Sequence, residues 1–474
     1  MKKKIFIGLV LVAVCIGQNQ AQTTMTLRQC IETGIANNFD VLQRQLQAES
    51  DKSNWQQAKL NMFPNLNASA SHSYNQGRSI DPYSNSPVTQ SFNSSSYGVS
   101  SNVVLFNGLA TQNNIKQNSL AYKAANMEWQ QEKDNLTINI ILAYLQVLSN
   151  ADQLEQAKNQ LGLTGKQVER LEVLNKEGAV RPLTFSDMKG QYSGDELAII
   201  NAQNALETAK VSLSRLMNVP YNKDLVLERI EPGSFVATYD SEPKAIYETA
   251  LQQLALIKAV DLRQQSAGKA VKVARGQLLP TLSFGASAST NYVSVAQQSQ
   301  YINTIYGPTS DTVFTSSGKL PVFRFQDKFT DPTKISYKDQ LDNNFSTSFG
   351  FNLSIPIFNS FVQRNRVKQA KIRYKSAELT ARTTRTQLSQ DIEQAYVNIS
   401  SASDRYKATM EQVAAYEESF KAAGVLFQQG VGTSIDYLTA KNNLDRANIN
   451  LIIARYDLVL RTKILDYYQG KQLW

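Results

Sequence analysis

The sequence has very few of the side chains on which most enzymes and metalloproteins depend. It contains one histidine and two cysteines among 474 residues. A zinc site built on His and Cys is therefore excluded, because no cluster of such ligands can form. A serine or cysteine hydrolase would have to use His72, and the sequence has neither a Gly-x-Ser-x-Gly elbow nor a glycine-rich nucleotide loop after a strand. The sequence predicts a protein that is not an enzyme and has no metal or cofactor.

Long hydrophobic runs and dense charge are also scarce. The only long apolar run is residues 5–17, and a hydrophobic content of 42% excludes a helical membrane bundle. Lys and Arg total 49 against 40 Asp and Glu, and no dense basic cluster lies beyond the first residues. Such a mild, dispersed charge indicates a solvated surface, so nucleic acid is not an expected partner.

The first residues have the pattern of a targeting signal. Residues 2–4 are lysines, an apolar run follows, and the small residue Ala21 ends a polar stretch. This order predicts a secretory signal peptide over residues 1–21. Two alternatives stay open: a membrane anchor that is retained, and a lipoprotein cleaved at Cys15.

The chain contains an internal repeat. Residues 96–108 match residues 348–360 at an offset of 252, whereas Pro64 matches Pro280 at an offset of 216. The second copy therefore carries 36 more residues between its matched blocks. Repeats of this kind indicate two structural units with the same order of secondary-structure elements. We divide the chain into a first repeat at 22–217, a connector at 218–243 and a second repeat at 244–474.

Each repeat contains two segments with strand periodicity, in the order helix, strand, strand, helix. Apolar and small polar residues alternate in these segments. Strands are predicted at about 64–75 and 94–106, and at about 280–292 and 344–357. The intervening residues 75–93 and 293–341 are rich in Ser, Asn, Pro and Tyr and are predicted as exposed loops.

The alternation leaves each predicted strand with one apolar face. Such a face could contact lipid in a transmembrane β-barrel. It could equally pack on the core of a soluble sandwich whose other face is exposed to water. A length of roughly ten residues, aromatic residues near the strand ends and the predicted signal peptide favour the barrel. The predicted lipid-facing residues are Leu66, Leu282, Phe284, Phe349 and Phe351.

The number of strands predicts that the barrel is shared between chains. About eight strands is the practical minimum for a barrel, and an open strand edge cannot face lipid. Two chains would supply eight strands and three would supply twelve. An eight-stranded barrel is filled by side chains, so small inward Ser, Asn and Gly residues fit twelve strands around a lumen better.

Long helices follow the predicted strands. Residues 109–177 contain no proline, which predicts a helix of about 100 Å. Apolar or small residues recur there at alternating steps of three and four, and again in the second repeat, as in coiled-coil packing. Turns at 178–182 and 430–434 then reverse the chain. Two helical hairpins per chain are predicted.

Taken in order, these features resemble the TolC-like outer membrane factor family over essentially the whole mature chain. The resemblance rests on the repeat, the helix-to-strand switches at Pro64 and Pro280, and the strand exits. Residues 430–440 are similar to the family's hairpin turn. The resemblance implies a mainly α fold with transmembrane β structure. It also implies a homotrimer with a twelve-stranded β-barrel, four strands per chain, on a long periplasmic α-helical barrel.

The resemblance also implies a function. The family forms channel-tunnels of the outer membrane that extend into the periplasm, as exit ducts of tripartite efflux or type I secretion systems. The implied partners are outer-membrane lipid, a periplasmic adaptor protein and an inner-membrane transporter of the RND or ABC type. A non-channel coiled-coil surface protein is the alternative hypothesis, and it explains the helices but not the strands within them. The sequence does not identify the cargo.

Candidate site residues follow from the resemblance alone. Asp436 matches the first of two aspartates at the family's periplasmic constriction, the second falls at Thr439, and Phe427 matches an aromatic of the closed tip. The family's basic residue in this turn falls at Gly432 here. Two simpler hypotheses are that Asp436 favours the dipole at a helix start and that Phe427 only packs. The expected adaptor-docking residues are Gly178, Ala179, Val180, Arg181, Gly430, Val431, Gly432 and Thr433.

Overall fold

The computed structural model describes residues 24–80, 85–89, 91–230, 242–471 and 473. The predicted signal peptide and residues 231–241 of the predicted connector lie outside the described residues. Within them, no helix combines the length and the apolar character needed to cross a membrane. The chain divides into two compact units. The helical unit comprises residues up to Ser53, Ser119–Ser266 and residues from Tyr374 onwards, and the sheet unit comprises Asn54–Asn118 and Ala267–Arg373.

Helices account for most of the described residues. They are α1 (Leu27–Asn37), α2 (Phe39–Leu60), α3 (Ala110–Lys176), α4 (Pro182–Met217), α5 (Pro243–Gln253), α6 (Ala255–Gly276), α7 (Tyr337–Asn343), α8 (Val362–Gln428) and α9 (Ser434–Tyr468). The strands are β1 (Asn65–Asn75), β2 (Arg78–Ile80), β3 (Pro87–Thr89), β4 (Phe92–Phe106), β5 (Thr281–Val293), β6 (Gln297–Gln298), β7 (Tyr301–Thr315), β8 (Gly318–Phe329), β9 (Thr333–Lys334) and β10 (Ser346–Ser354). The predicted helix-strand-strand-helix order is confirmed in both halves of the chain.

The core of the helical unit is built on the residues that recur at steps of three and four. In α3, Ile140, Val147 and Leu154 are buried, and in α8 Ile392 and Ile399 are buried. The α3 residues pack with residues of α1 and α4, and the α8 residues pack with residues of α5, α6 and α9. Both long helices have 67 residues, about 100 Å at a rise of 1.5 Å per residue.

The sheet unit contains an antiparallel sheet in the order β1-β4-β5-β10. Directly opposed residues of neighbouring strands share one face of a sheet. Leu66 opposes Ser101, which opposes Ala286, which opposes Phe349. In the next row Phe284 opposes Phe351, and their rings lie 5.2 Å apart. The register therefore places the predicted apolar residues of three strands on one face.

The other face of the sheet is small and polar. One row across the four strands consists of Asn67, Ser100, Ser287 and Ser348. The hydroxyls of Ser287 and Ser348 are hydrogen-bonded at 2.8 Å. Among the described residues, β1 and β10 each pair on one side only, so the sheet ends in two open edges.

The segment between β5 and β10 differs from the sequence prediction. Residues 293–341 are predicted to form an exposed loop, but they contain the long hairpin of β7 and β8 and most of the helix α7. The composition of the segment was misleading here, because β7 contains Gly307, Pro308 and several polar residues, which are typical of loops. The alternation of Phe323 and Phe325 with Arg324 in β8 has strand period and was the overlooked signal. The other expected loop, at 75–93, contains the short strands β2 and β3.

A close approach of two glycines joins helix α6 to the junction between β4 and α3. A Cβ atom on Gly276 would lie 2.7 Å from the carbonyl oxygen of Gly108 and 3.0 Å from the Cβ of Ala110. Gly108 itself has a φ of +65°, a backbone conformation that is strained for any residue with a side chain. Only glycine lets these two backbone segments lie this close.

We expect Gly276→Ala to lower the thermal stability of the protein in detergent, because two backbone segments must move apart. Gly162→Ala is the matched control, because Gly162 lies in the interior of α3 and a Cβ there would meet no atom within 4 Å. At this position alanine should stabilise the helix by about 1 kcal/mol relative to glycine, because alanine has the higher helix propensity. The two alanine variants should therefore shift the melting temperature in opposite directions. A neutral Gly276→Ala would show that the approach is not tight.

Candidate functional site: the turns of the helical hairpins

The turn of the first hairpin lies between α3 and α4. Gly178 has a φ of +73°, and the backbone N–H of Ala179 donates to the carbonyl of Leu174 at 2.8 Å, which closes the end of α3. Arg181 is the N-cap of α4 but contributes no capping side chain, and Pro182 follows in the first helical position. Gly178, Ala179 and Arg181 are exposed.

The turn of the second hairpin lies between α8 and α9. Gly430 has a φ of +75°, and the backbone N–H groups of Val431 and Gly432 both donate to the carbonyl of Leu426, at 3.1 and 3.0 Å. The side chain of Val431 is 75% exposed. Thr433 then begins α9 with a capping box that involves Asp436. Both turns thus consist of a left-handed glycine followed by a new helix start.

Asp436 is held by the start of its own helix. The hydroxyl of Thr433 donates to Oδ2 of Asp436 at 2.6 Å and accepts from its backbone N–H at 3.2 Å. These hydrogen bonds lower the pKa of Asp436 below its ordinary value. The capping stabilisation is therefore complete above the ordinary pKa range of aspartate, and is lost as the pH falls through the lowered pKa. Thr439 lies one turn further along α9 and is exposed.

Phe427 belongs to an apolar cluster near the turns, which we call the tip cluster. Its buried members are Leu171, Met188 and Tyr437, and its partly buried members are Val168, Leu174, Val180, Phe185, Phe420, Phe427 and Leu438. The ring of Phe427 stacks on that of Tyr437 at 5.0 Å, with 21° between the planes. Phe427 and Val180 are therefore packed within one chain, whereas most of the other predicted turn residues are exposed.

Polar contacts also join the two hairpins near their turns. Arg170 of α3 donates to the carbonyl of Gln428, the last residue of α8, at 3.0 Å. Ser434, the first residue of α9, donates its hydroxyl to Asp187 of α4 at 3.2 Å. The structure thus brings the two predicted turns into one site, with α9 in contact with α4.

Sequence reasoning missed a buried charged group in the same region. Lys441 of α9 is 1% exposed, and its amine lies 3.1 Å from Asp195 of α4 and 2.8 Å from Asp445. Thr164 of α3 donates its hydroxyl to Asp195 at 2.5 Å, and Gln191 donates to the same carboxylate at 2.8 Å. We call these five residues the Lys441 cluster. The available signal was that Lys441 follows the apolar Tyr437 by four residues and precedes Asp445 by four.

The sequence is similar to known proteins of the outer membrane. The family model described as "Outer membrane efflux protein" matches residues 30–219 and 246–466. The outer membrane protein TolC of Vibrio cholerae is 23% identical over 339 residues, which cover 71% of this chain and 68% of TolC. The outer membrane efflux protein BepC of Brucella suis is 22% identical over 389 residues, covering 81% of this chain and 74% of BepC.

Solved structures show the same fold. A crystal structure of CusC, from work on folding and transmembrane channel formation, superposes with a TM-score of 0.72 at 17% identity, covering 94% of this chain and 92% of CusC. The outer membrane protein VceC of Vibrio cholerae superposes with a TM-score of 0.72 at 16% identity, covering 94% of this chain and 97% of VceC. Because the family model matches most of the sequence, the chain belongs to the outer membrane efflux protein family and is an efflux channel of the outer membrane.

Proposed function

We propose that three copies of the chain close one twelve-stranded barrel in the outer membrane. The observation that carries this proposal is the sheet β1-β4-β5-β10, which has one mainly apolar face and, among the described residues, two open edges. In lipid an unpaired strand edge costs several kcal/mol for each unsatisfied group. Pairing of β10 in one copy with β1 in the next removes every open edge. Leu66, Leu282, Phe284, Phe349 and Phe351 then face lipid.

The lumen of this barrel is lined by the small polar face of the sheet. Rows of Ser, Asn and Gly make few specific contacts, so this part of the duct does not select its cargo. Selection then belongs to an inner-membrane transporter of the RND or ABC type. The chain itself passes the cargo without reaction, and small-molecule efflux is the cargo class that we propose first, ahead of polypeptide secretion.

The hairpin turns form the periplasmic entrance in this proposal. Asp436 and Thr439 are both exposed on α9 and are separated by three residues, so they lie on one side of the helix. We assign the constriction to these two residues, with Phe427 supporting it through its contact with Tyr437. The exposed turn residues dock a periplasmic adaptor: Gly178, Ala179, Arg181, Gly430, Val431 and Thr433, with Val180 and Gly432 beneath them.

The mass of the mature protein in detergent, measured by light scattering with the detergent contribution subtracted, tests the shared barrel. The expected mass is three times that of the mature chain, and the trimer should form ion-conducting channels in planar lipid bilayers. A monomer, or a trimer that never conducts, would contradict the proposal. A non-channel coiled-coil protein would give the second of these results.

Asp436→Asn tests the constriction. Three copies of Asp436 around one axis would form a ring of like charge that attracts cations. We expect the variant to weaken block by trivalent cations added to the periplasmic side, with single-channel conductance as the readout. Thr433→Ala is the matched control, because it removes the capping partner of Asp436 but keeps its charge. Equal block in Asp436→Asn and the unaltered protein would exclude the ring.

A further inference from the structure

The long hairpin of β7 and β8 carries a row of exposed aromatic side chains on one face. Tyr306 opposes Phe325, and its ring lies 5.2 Å from that of Phe325 and 5.9 Å from that of Phe323. Near the base of the hairpin the opposed rings of Tyr301 and Phe329 lie 6.0 Å apart. All members of the row are between 50% and 75% exposed. We call this row the aromatic face, and its members are Tyr301, Tyr306, Phe314, Phe323, Phe325 and Phe329.

The hairpin has little support from the rest of its own chain. Among the described residues, β7 and β8 pack on each other and have no extensive contact with another helix or strand. A two-stranded hairpin by itself is only marginally stable in water and needs a further layer against its apolar face. A row of exposed aromatic residues of this length marks an interaction surface. The aromatic face therefore needs a partner that a single chain does not supply.

The hairpin is an addition to the sheet and has a firmly held base. It falls in the stretch where the second repeat carries 36 more residues than the first. In the described part of the connection between β1 and β4 the only strands are the short β2 and β3. The backbone N–H of Ile335 donates to the carbonyl of Ala296 at 3.1 Å, and the fully buried Gln340 accepts from the backbone N–H of Val293 at 2.9 Å. A long extension on a fixed base can carry a contact beyond the sheet.

The hairpin begins beyond the part of the sheet that we assign to lipid. Three tyrosines meet at one end of the apolar face: the ring of Tyr292 lies 4.8 Å from that of Tyr337, whose hydroxyl donates to Tyr97 at 2.9 Å. Aromatic girdles of this kind lie at the membrane–water interface of a barrel. Because β5 begins after α6 and β10 leads into α8, the hairpin joins the strand ends that are farthest from these helices. The aromatic face is therefore in water on the extracellular side.

The trimer brings three such hairpins within reach of one another. Strands about 4.8 Å apart and tilted by about 40° place the wall of a twelve-stranded barrel about 12 Å from its axis. The 15 residues of β7 span about 50 Å, so a hairpin rooted on the wall reaches the axis. Copies fixed in one ring meet at an effective concentration of about millimolar, with which any separate partner must compete.

The size of the aromatic face fits a contact between copies. Phe and Tyr side chains each offer about 150–250 Å², so six of them at this exposure present about 700 Å². A standard protein interface buries about 800 Å² on each partner. We propose that the aromatic faces of three copies pack against one another around the threefold axis, on the extracellular side of the barrel. This contact rests on the proposed function, because it assumes the trimer, and it adds a contact in water to the strand pairing in lipid.

Cross-linking of single cysteines in isolated outer membranes tests the contact. We expect Phe325→Cys to give covalent dimers with a short bis-maleimide, because packed sheet faces lie about 10 Å apart. Gln326→Cys is the matched control, since Gln326 is the next residue of β8 and lies on the other face. The yield of dimer should be about tenfold higher for Phe325→Cys, because neighbouring residues of a strand point to opposite faces. Cys30 is buried and does not compete for the reagent.

The heat resistance of the trimer is the second readout. Phe323→Ser/Phe325→Ser should lower the temperature at which the trimer dissociates. Val313→Ser/Leu320→Ser is the control, because it removes an opposed apolar pair from the other face and should lower that temperature much less. Equal effects of the two double variants would overturn the contact.

The cross-linking also has outcomes that would overturn the contact. One is an equal yield for Phe325→Cys and Gln326→Cys. Another is a trimer in which neither cysteine is cross-linked, which would mean that lipid or another protein covers the aromatic face. Should Phe325→Cys accumulate poorly, Tyr306→Cys replaces it, because Tyr306 is its opposed neighbour on the same face. A monomeric unaltered protein would contradict the proposed function, whereas a trimer without the cross-link would contradict only the contact between hairpins.

Discussion

Phe351→Arg should abolish most of the trimer in the outer membrane. Phe351 lies in the middle of β10 on the apolar face of the sheet, where its side chain is 72% exposed and its ring contacts only that of Phe284 among the aromatic rings described. An arginine facing lipid near the middle of the bilayer costs about 2–4 kcal/mol in a transmembrane barrel. Each trimer carries three such residues, so the penalty applies to every subunit of the assembly.

The matched control is Ser348→Arg in the same strand. Ser348 lies on the opposite face, where it opposes Ser287 across a 2.8 Å hydrogen bond. An arginine there enters a water-filled lumen, so the amount of trimer should fall much less, while the conductance should change. The measurement is the heat-resistant trimer in outer-membrane fractions, compared at equal total expression. Equal losses for the two arginines would show that the faces are assigned wrongly or that the sheet does not lie in lipid.

The sheet was predictable because its information is local. A strand with period two places every second residue on the same face, so the sequence of β10 alone identifies Phe349 and Phe351 as one set. The register supplies what a single strand cannot, since it aligns Phe351 with Phe284 and Ser348 with Ser287. Closure of the barrel depends on several chains. A single chain shows only the unpaired edges of β1 and β10, which need partners in lipid.

The Lys441 cluster was not predictable in the same way. Its three charged members lie on two helices, and Asp195 is separated from Lys441 by 246 residues. Helical periodicity places Lys441 near the buried side of α9, but a lysine at such a position is usually at the margin, with its amine in water. Only the packing of α4 and α3 against α9 shows that this amine is enclosed. A single sequence therefore does not reveal which distant charged residues form pairs. The capping box of Thr433 and Asp436 is different, because it depends on only four consecutive residues.

Tyr437→Ala should loosen the ends of both hairpins. Tyr437 is 4% exposed, and its ring contacts those of Phe427 at 5.0 Å and Phe420 at 5.4 Å. Loss of a buried aromatic ring typically costs about 3–5 kcal/mol, because the cavity closes only partly. The cost falls on the tip cluster, where Leu171 and Met188 of the first hairpin lose contact with α9. We therefore expect faster proteolysis near the turns, while the amount of trimer is nearly unchanged.

Tyr437→Phe separates packing from the hydroxyl group. It keeps the ring and its stacking on Phe427, so the turns should resist protease almost as well as in the unaltered protein. Val431→Ala is a second control, since Val431 is 75% exposed in the same turn and its truncation removes little packing. The rates of cleavage between α3 and α4 and between α8 and α9 are the readout. We expect increased cleavage in both turns, because the tip cluster contains residues of both hairpins. Cleavage confined to the α8–α9 turn would mean that the two hairpins are stabilised independently.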